Sequence, residues 1–500
     1  MRRLGPAIFW FMLAAPALAA GPADAVARVL EDARALPPDE CRQTRWLWQP
    51  DSQDGDEETL SLHVNLLSRS PVLRRLRVVS EGLYAVALDV YELDPKVWEK
   101  LLDVPEVYFS LTTEDIAERE VIETKHWPGG TWRVQDGGDG KFYAAGDYQT
   151  RRRIKDKLVK RTAAYDHPGA KDLQRLTGSY VPIVRADWFF QQSCRQVSLR
   201  NRDNGVGYYN WIGIKNRGDF LTLIGLDRKL NDAQRRRVQD IVDFSGVSTF
   251  PRFIVGERAL EGEAFHSLDE DTLDLANLPT EFLKPGVFKH KAEEWFGIGL
   301  NRLPKFLLAD AAGVLQPSAP DFIGPDDSPL RTGRDGKIHV LESCLNCHFG
   351  RPGDGGMRPV DGWVRRVYRR ELALSIAGRA EALEFERLYL SDMNARLANY
   401  RRVVREALQE LLGPEAEWHT TVAAYAEYRD RYRQPVDLRR LAAEIGMRPE
   451  DLLAKLRERS RVQGGVPASL GAWLRDGGTV RREVVEDFHS VIALNVLGTK

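Results

Sequence analysis

Five hundred residues, 43% hydrophobic and 29% charged, have an ordinary globular composition but exceed what one compact core serves, so two or three domains are expected. Lys and Arg number 72 against 73 Asp and Glu, which leaves no net field to attract nucleic acid or an anionic membrane. No basic face or nucleic-acid fold motif compensates for that balance.

The chain opens with Arg2 and Arg3 followed by the apolar run "LGPAIFWFMLAAPALAA". These are the n-, h- and c-regions of a secretory signal, and Ala17-Leu18-Ala19 supplies the A-x-A cleavage site. Residues 1–19 are therefore read as a signal peptide, and the mature chain as exported, periplasmic or secreted. No later run reaches the roughly 18 uninterrupted apolar residues of a membrane span, so no integral membrane segment is expected in the mature chain. Outside a reducing cytosol, Cys41 and Cys194 form a disulfide or remain two buried thiols, and their spacing does not choose.

Periodicity predicts a helix in "ADAVARVLEDARAL", stopped by Pro37-Pro38. The runs "LSLHVNLLS", "LRRLRVVS" and "GLYAVALDVYEL" alternate or are β-rich and read as strands. "DPKVWEKLLDV" carries an Asp-Pro helix start, and "WPGGTWRVQDGGDGKFYAAGD" reads as hairpins or a surface loop. The basic run "RRRIKDKLVKR", Arg151 to Arg161, reads as the solvated face of a helix. In the middle third, "LNDAQRRRVQDIVDFSG" has an Asn-Asp start and a Gly stop and predicts a helix. "PKFLLADAAGVLQ" predicts two strands around Ala311-Ala312-Gly313, and a Pro/Asp/Gly-rich loop then leads to the next motif. The last third predicts a long helix or helical pair ending at Gly413-Pro414, then two short helices in "VDLRRLAAEIGM" and "RPEDLLAKLRERS". The resulting expectation is an α+β fold with a signal peptide (1–19), a mixed α/β N-terminal domain (20–175), a central region (176–365) and a helical C-terminal region (366–500).

Chemistry concentrates in Cys344-Leu345-Asn346-Cys347-His348, a C-x-x-C-H motif that holds half of the four cysteines. Two thiols three residues apart match the two vinyl groups of haem, and the following histidine lies where it can ligate the iron. A zinc knuckle needs about four ligands where three are present. A redox dithiol belongs at a strand–helix junction, whereas a loop precedes this motif. A plain disulfide is the remaining rival. Covalent haem c, one per chain, with thioethers from Cys344 and Cys347 and His348 as proximal ligand, is the reading that also agrees with export.

The segment "VFKHKAEEWFGIGLNRLPKFLLADAAGVLQPSAPDFIGPDDSPLRTGRDGKIHVLESCLNCH" resembles a group of uncharacterised exported bacterial proteins with a single c-type haem motif. Their pattern of F-x-H, a nearby Glu, an L-P-N-G-L-like turn, a D-x-x-G hairpin, A-P and S-C-x-x-C-H falls here on Phe288, His290, Glu294, Leu300, Asn301, Leu303, Asp310, Gly313, Ala319, Pro320 and Ser343. The likeness covers roughly Ser179 to Trp363, with "GLNRLP" departing from the turn. It implies a c-type haem in an exported protein and leaves reaction and partner open.

The sixth iron ligand is expected from His290, within the matched segment, or from Met357, nine residues past His348. His339, Met393, His419, Met447 and His489 are weaker candidates, and an open five-coordinate iron is the alternative. Arg351, Arg358 and Lys337 are placed to neutralise haem propionates, with Asp361 and Trp363 near the haem edge. No dinucleotide fingerprint, Walker loop, EF-hand, nucleophile elbow or H-E-x-x-H site is found. The expected function is periplasmic electron transfer with a redox partner protein. The alternatives are an open-site haem enzyme, peroxidase-like, and a haem-based small-ligand sensor.

Overall fold

The structure is a computed structural model that describes residues 22–103, 119–126, 135–136, 142–143, 147–154, 168–194, 205–226, 237–242, 250–270, 288–323, 338–352, 386–389, 393–445, 447–460 and 477–486. The expected signal peptide, together with Lys337, Met357, Arg358, Asp361, Trp363 and His489, lies outside these residues. The fold is α+β.

Helices α1 (Pro22–Ala35) and α2 (Pro38–Gln43) lead into β1 (Thr44–Trp48), and α3 (Asp56–Leu67) precedes β2 (Arg77–Ser80) and β3 (Leu83–Ala87). α4 (Pro95–Glu99) starts as its sequence requires, with Asp94 accepting the Lys96 N–H at 2.8 Å and Pro95 in the first turn. Next come β4 (Arg119–His126), the two-residue strands β5 (Gln135–Asp136) and β6 (Phe142–Tyr143), and β7 (Asp147–Ile154). β5 pairs with β6, and β4 with β7. The basic run expected to be helical thus enters β7 at Arg151–Ile154, where a ladder with Arg119–Ile122 decides the backbone. After α5 (Pro168–Thr177), β8 (Ile183–Arg185) completes a sheet of order β2-β3-β1-β8, parallel to β1. The N-terminal sheet therefore extends past residue 175 into the segment assigned to the central region.

α3 corrects the strand expected in "LSLHVNLLS". It is buried all round, so its apolar residues show no one-sided stripe at the helical period. Its first turn carries Asp56, Glu57 and Glu58, favourable at a helix N-terminus. At its other end Lys305 Nζ donates to the carbonyls of Leu66 and Ser68 at 2.6 and 2.8 Å, and Asn301 donates to that of Asn65 at 2.8 Å. These donors take up carbonyls that a helix end leaves unsatisfied.

β8 runs directly into α6 (Ala186–Cys194), followed by α7 (Tyr208–Trp211) and α8 (Arg217–Leu223). A five-stranded antiparallel meander follows: β9 (Val238–Val242), β10 (Arg252–Arg258), β11 (Glu263–Asp269), β12 (Ala292–Ile298) and β13 (Pro304–Asp310). β9 falls inside "LNDAQRRRVQDIVDFSG". Its Val-Gln-Asp-Ile-Val core forms a ladder with β10 and buries Val238 and Ile241, which overrides the helix signals at either end. The β13 strand and the turn at Gly313 (φ 81°) match expectation, and Leu315 returns to bridge Ala309.

The helical third comprises α9 (Glu342–Phe349), α10 (Met393–Leu412), α11 (Trp418–Arg433), α12 (Leu438–Ile445) and α13 (Pro449–Ser460). β14 (Val436–Asp437) pairs with β15 (Thr479–Val480) beside them. α10 covers one face of the meander, with Tyr400 edge-on to Phe265 and Phe296. The approach is close at Gly256, where a Cβ would lie 3.0 Å from Phe265 and 3.1 Å from Met393 Sδ. α8 covers the opposite face through Phe220 on Trp295 and Ile224 against Gly297.

One contiguous hydrophobic cluster runs from Ala25 to Val485 and joins all these layers. Buried polar links cross it, two of them between distant elements of the N-terminal and C-terminal parts. His63 of α3 reaches Tyr425 Oη of α11 at 2.8 Å and Ser193 Oγ of α6 at 2.6 Å. Glu444 of α12 accepts from Arg482 at 2.6 and 2.8 Å and pairs with Arg185 of β8 at 2.7 Å. Cys194 lies 3.4 Å from Tyr425 Oη, and Cys41 and Cys194 are separate buried thiols. No helix among the described residues is long and apolar enough to cross a membrane.

Candidate functional site

The C-x-x-C-H motif forms α9, entered through a tight turn. Ser318 bridges His339, and the His339 N–H donates to Ser343 Oγ at 2.9 Å. Leu341, at φ 70° and ψ −68°, is the centre of a three-residue turn closed by the Glu342 N–H donating to the Val340 carbonyl at 3.1 Å, a strained conformation that a Cβ-bearing residue holds only when its surroundings fix it. Its fully buried side chain supplies that constraint.

Helical spacing sets the two sulfurs on one side of α9, with His348 one turn beyond Cys344. Cys344 is buried and Cys347 half-buried, and both are thiols. The His348 ring packs against aromatic residues of β12 and β13, 4.5 Å from Phe296 and 5.7 Å from Phe306 between centroids. Its Nε2 lies 3.5 Å from Glu294 Oε1, while Nδ1 is buried without a hydrogen-bond partner among the described residues.

Behind His348 stands a row of buried charge on the same sheet face. Arg252 Nη2 donates to Glu294 Oε2 at 2.7 Å and to Ser267 Oγ at 2.5 Å, and Arg252 Nε donates to Asp269 at 2.7 Å. Burial works against an ionised Glu294, but Arg252 and then His348 outweigh it and hold the carboxyl down to about 2. Arg252 is likewise held protonated, since Asp269 and Glu294 overcome the cost of its burial.

His290 is held elsewhere. Its Nε2 lies 2.7 Å from Glu293 Oε1, an oxygen shared with Arg217, and Trp295 Nε1 donates to Glu293 Oε2 at 2.8 Å. Adjacent strand residues face opposite sides, so Glu293 and Glu294 point His290 and His348 to opposite faces of the meander. The structure does not bring these two histidines together.

Met393 is buried on the His348 face, above Gly256. His339 belongs to the entry turn. His419 lies 3.8 Å from Glu417, next to Trp418, which stacks on Phe349 at 4.5 Å. Met447 is half-buried against the core, and Arg351 is exposed just past α9. Among the described residues no group of three or more His, Cys, Asp or Glu is gathered to hold a metal ion.

The residues fit a covalently held haem on three counts: two thiols on one helical turn, an adjacent imidazole with a buried nitrogen lacking a partner among the described residues, and an aromatic wall. Cys344 and Cys347 would hold the macrocycle and His348 the iron. Arg252, Phe296 and Phe306 were not singled out in the sequence, and Glu294 entered only as the Glu of the pattern that the segment resembles. Glu294 and Phe296 carry a weak signal, the strand alternation in "AEEWFGI", but nothing local connects Glu294 to an arginine 42 residues earlier.

No family model matches the chain, and no curated protein or solved structure does.

Proposed function

We propose that this chain is an exported mono-haem c-type protein that passes single electrons in the periplasm to a redox partner protein. The observation that carries the proposal is the C-x-x-C-H turn itself: Cys344 and Cys347 share one side of α9, and His348 beside them keeps a buried ring nitrogen without a partner among the described residues. The haem supplies the one-electron cycle between ferric and ferrous iron, and the protein holds and tunes it. Phe296 and Phe306 exclude water from one side of His348, and α9 fixes the spacing of the three attachment residues.

The test is to export the full chain alongside haem-attachment machinery, then stain denatured protein for haem and record the pyridine haemochrome spectrum. Haem that survives denaturation in the wild type and is lost in C344S/C347S supports the proposal. Wild-type protein without covalent haem sinks it.

A second reading, an iron open to a small ligand, is favoured by the placement of His290 on the far face of the sheet. Rapid CO binding by the ferrous protein with a five-coordinate ferric spectrum would select it over the electron carrier.

A further inference from the structure

We infer that Tyr400 is a binding residue of the haem held at α9: its buried phenol O–H donates a hydrogen bond to the group that Cys344 and Cys347 attach. The inference rests on the haem reading above and deepens it.

Three buried phenols stand around α9: Tyr208 and Tyr209 of α7 and Tyr400 of α10. Burial pushes each of them above the ordinary tyrosine range, and the Cys344 thiol adds to that rise in all three, which marks its sulfur as their common neighbour. All three are therefore neutral donors at pH 7. Two of the hydroxyls are engaged by the fold itself. Tyr208 Oη accepts the Phe306 N–H at 3.1 Å. Tyr209 Oη accepts the Leu308 N–H at 2.9 Å and donates to the Gln316 carbonyl at 2.9 Å. Tyr400, 0% exposed, has no hydrogen-bond partner for its Oη among the described residues.

Packing does not account for that hydroxyl. The Tyr400 ring stacks on Phe349, the residue after His348, at 6.4 Å between centroids and stands edge-on to Phe296 at 5.5 Å. A phenylalanine would make both contacts without taking a hydroxyl out of water, and an unpaired buried hydroxyl returns nothing for its desolvation. Phe296 also lies against His348, at 4.5 Å between centroids, so Tyr400 stands at the attachment site. A buried polar group that the fold leaves without a partner calls for one from a bound group, and the haem is the group this site would hold.

Tyr400→Phe and, as a control, Tyr208→Phe should each be made in the haem-loaded full chain and in C344S/C347S, which lacks both attachment sulfurs. Urea unfolding gives a midpoint for every variant. Y400F should leave the C344S/C347S midpoint unchanged or raise it, because the lost hydroxyl has no partner there, and should lower that of the haem-loaded chain. Y208F strands the Phe306 N–H and should lower both. In the loaded chain Y400F should also lower the ferrous-to-ferric ratio at a fixed solution potential by about threefold, since an O–H donor favours the more electron-rich ferrous state. A merely structural role would leave that ratio where it was. Equal midpoint shifts from Y400F in the two backgrounds, or an unmoved ratio, overturn the inference and leave the haem reading standing. If C344S/C347S does not fold, the ratio alone decides. Wild type without covalent haem overturns both.

Discussion

Glu444 offers a severe test of how the C-terminal helices are tied to the N-terminal sheet. Its carboxylate is 2% exposed and faces three guanidiniums: Arg482 at 2.6 Å, Arg185 at 2.7 Å and Arg440 at 3.2 Å. Burial opposes its ionisation, yet Arg185 and Arg482 hold it well below the usual carboxylate range. Glu444→Gln keeps the shape and one acceptor oxygen but leaves two arginines, each 1% exposed, with less counter-charge. Breaking a buried pair from one side costs about 3–5 kcal/mol. Arg185 retains Asp187 at 2.5 Å and Arg482 retains the Tyr432 carbonyl at 2.9 Å, so the lower end, about 3 kcal/mol, is expected. The control is Glu406→Gln, which removes a 2.8 Å pair with Arg402 between half-exposed side chains and should cost about 0.5 kcal/mol or less. Urea unfolding at pH 7, followed by tryptophan fluorescence, compares the two. A depressed carboxyl contributes stability above its unfolded pKa and loses it on acidification, so the E444Q deficit should shrink below about pH 4.5. Equal effects of E444Q and E406Q would refute the reasoning.

Three further outcomes follow from particular residues. His63, which burial lowers to about 3, stays neutral in the fold while the unfolded chain protonates from about pH 6.5 downward. Wild type should therefore lose about 2 kcal/mol between pH 7 and 5 that H63Q does not lose, as read from parallel urea melts. Gly256→Ala should destabilise by about 1–3 kcal/mol through overpacking, and Met393→Ala, by vacating the 3.1 Å neighbour, should recover part of that loss in a double-mutant cycle. If Cys344 and Cys347 hold haem as proposed, C344S alone should abolish one thioether link and shift the haemochrome band from that of the wild type.

The sequence is legible where the deciding interactions are local. The Asp94-Pro95 start of α4 and the stop of α10 at Gly413 (φ 115°) are set within a turn of the residues that signal them. It fails where a distant partner decides. α3 lacks a stripe because it is buried on every side, and β9 is a strand because β10 provides its ladder. The candidate site divides in the same way. Cys344, Cys347 and His348 stand out through the spacing of one motif, whereas Arg252 meets the Glu294 carboxylate only through the ladders that pair β10 with β11 and β11 with β12.

The continuous core also sets an order of events. α3 and α6 are covered in part by α11, so in a chain made from its N-terminus their buried faces await residues 418–433. α9 packs on the same helix, and Cys344 is only 1% exposed once everything is docked. In the docked chain that burial leaves little room for a bulky reagent at its sulfur. A chain that closes early keeps its motif intact and shields one of its two sulfurs.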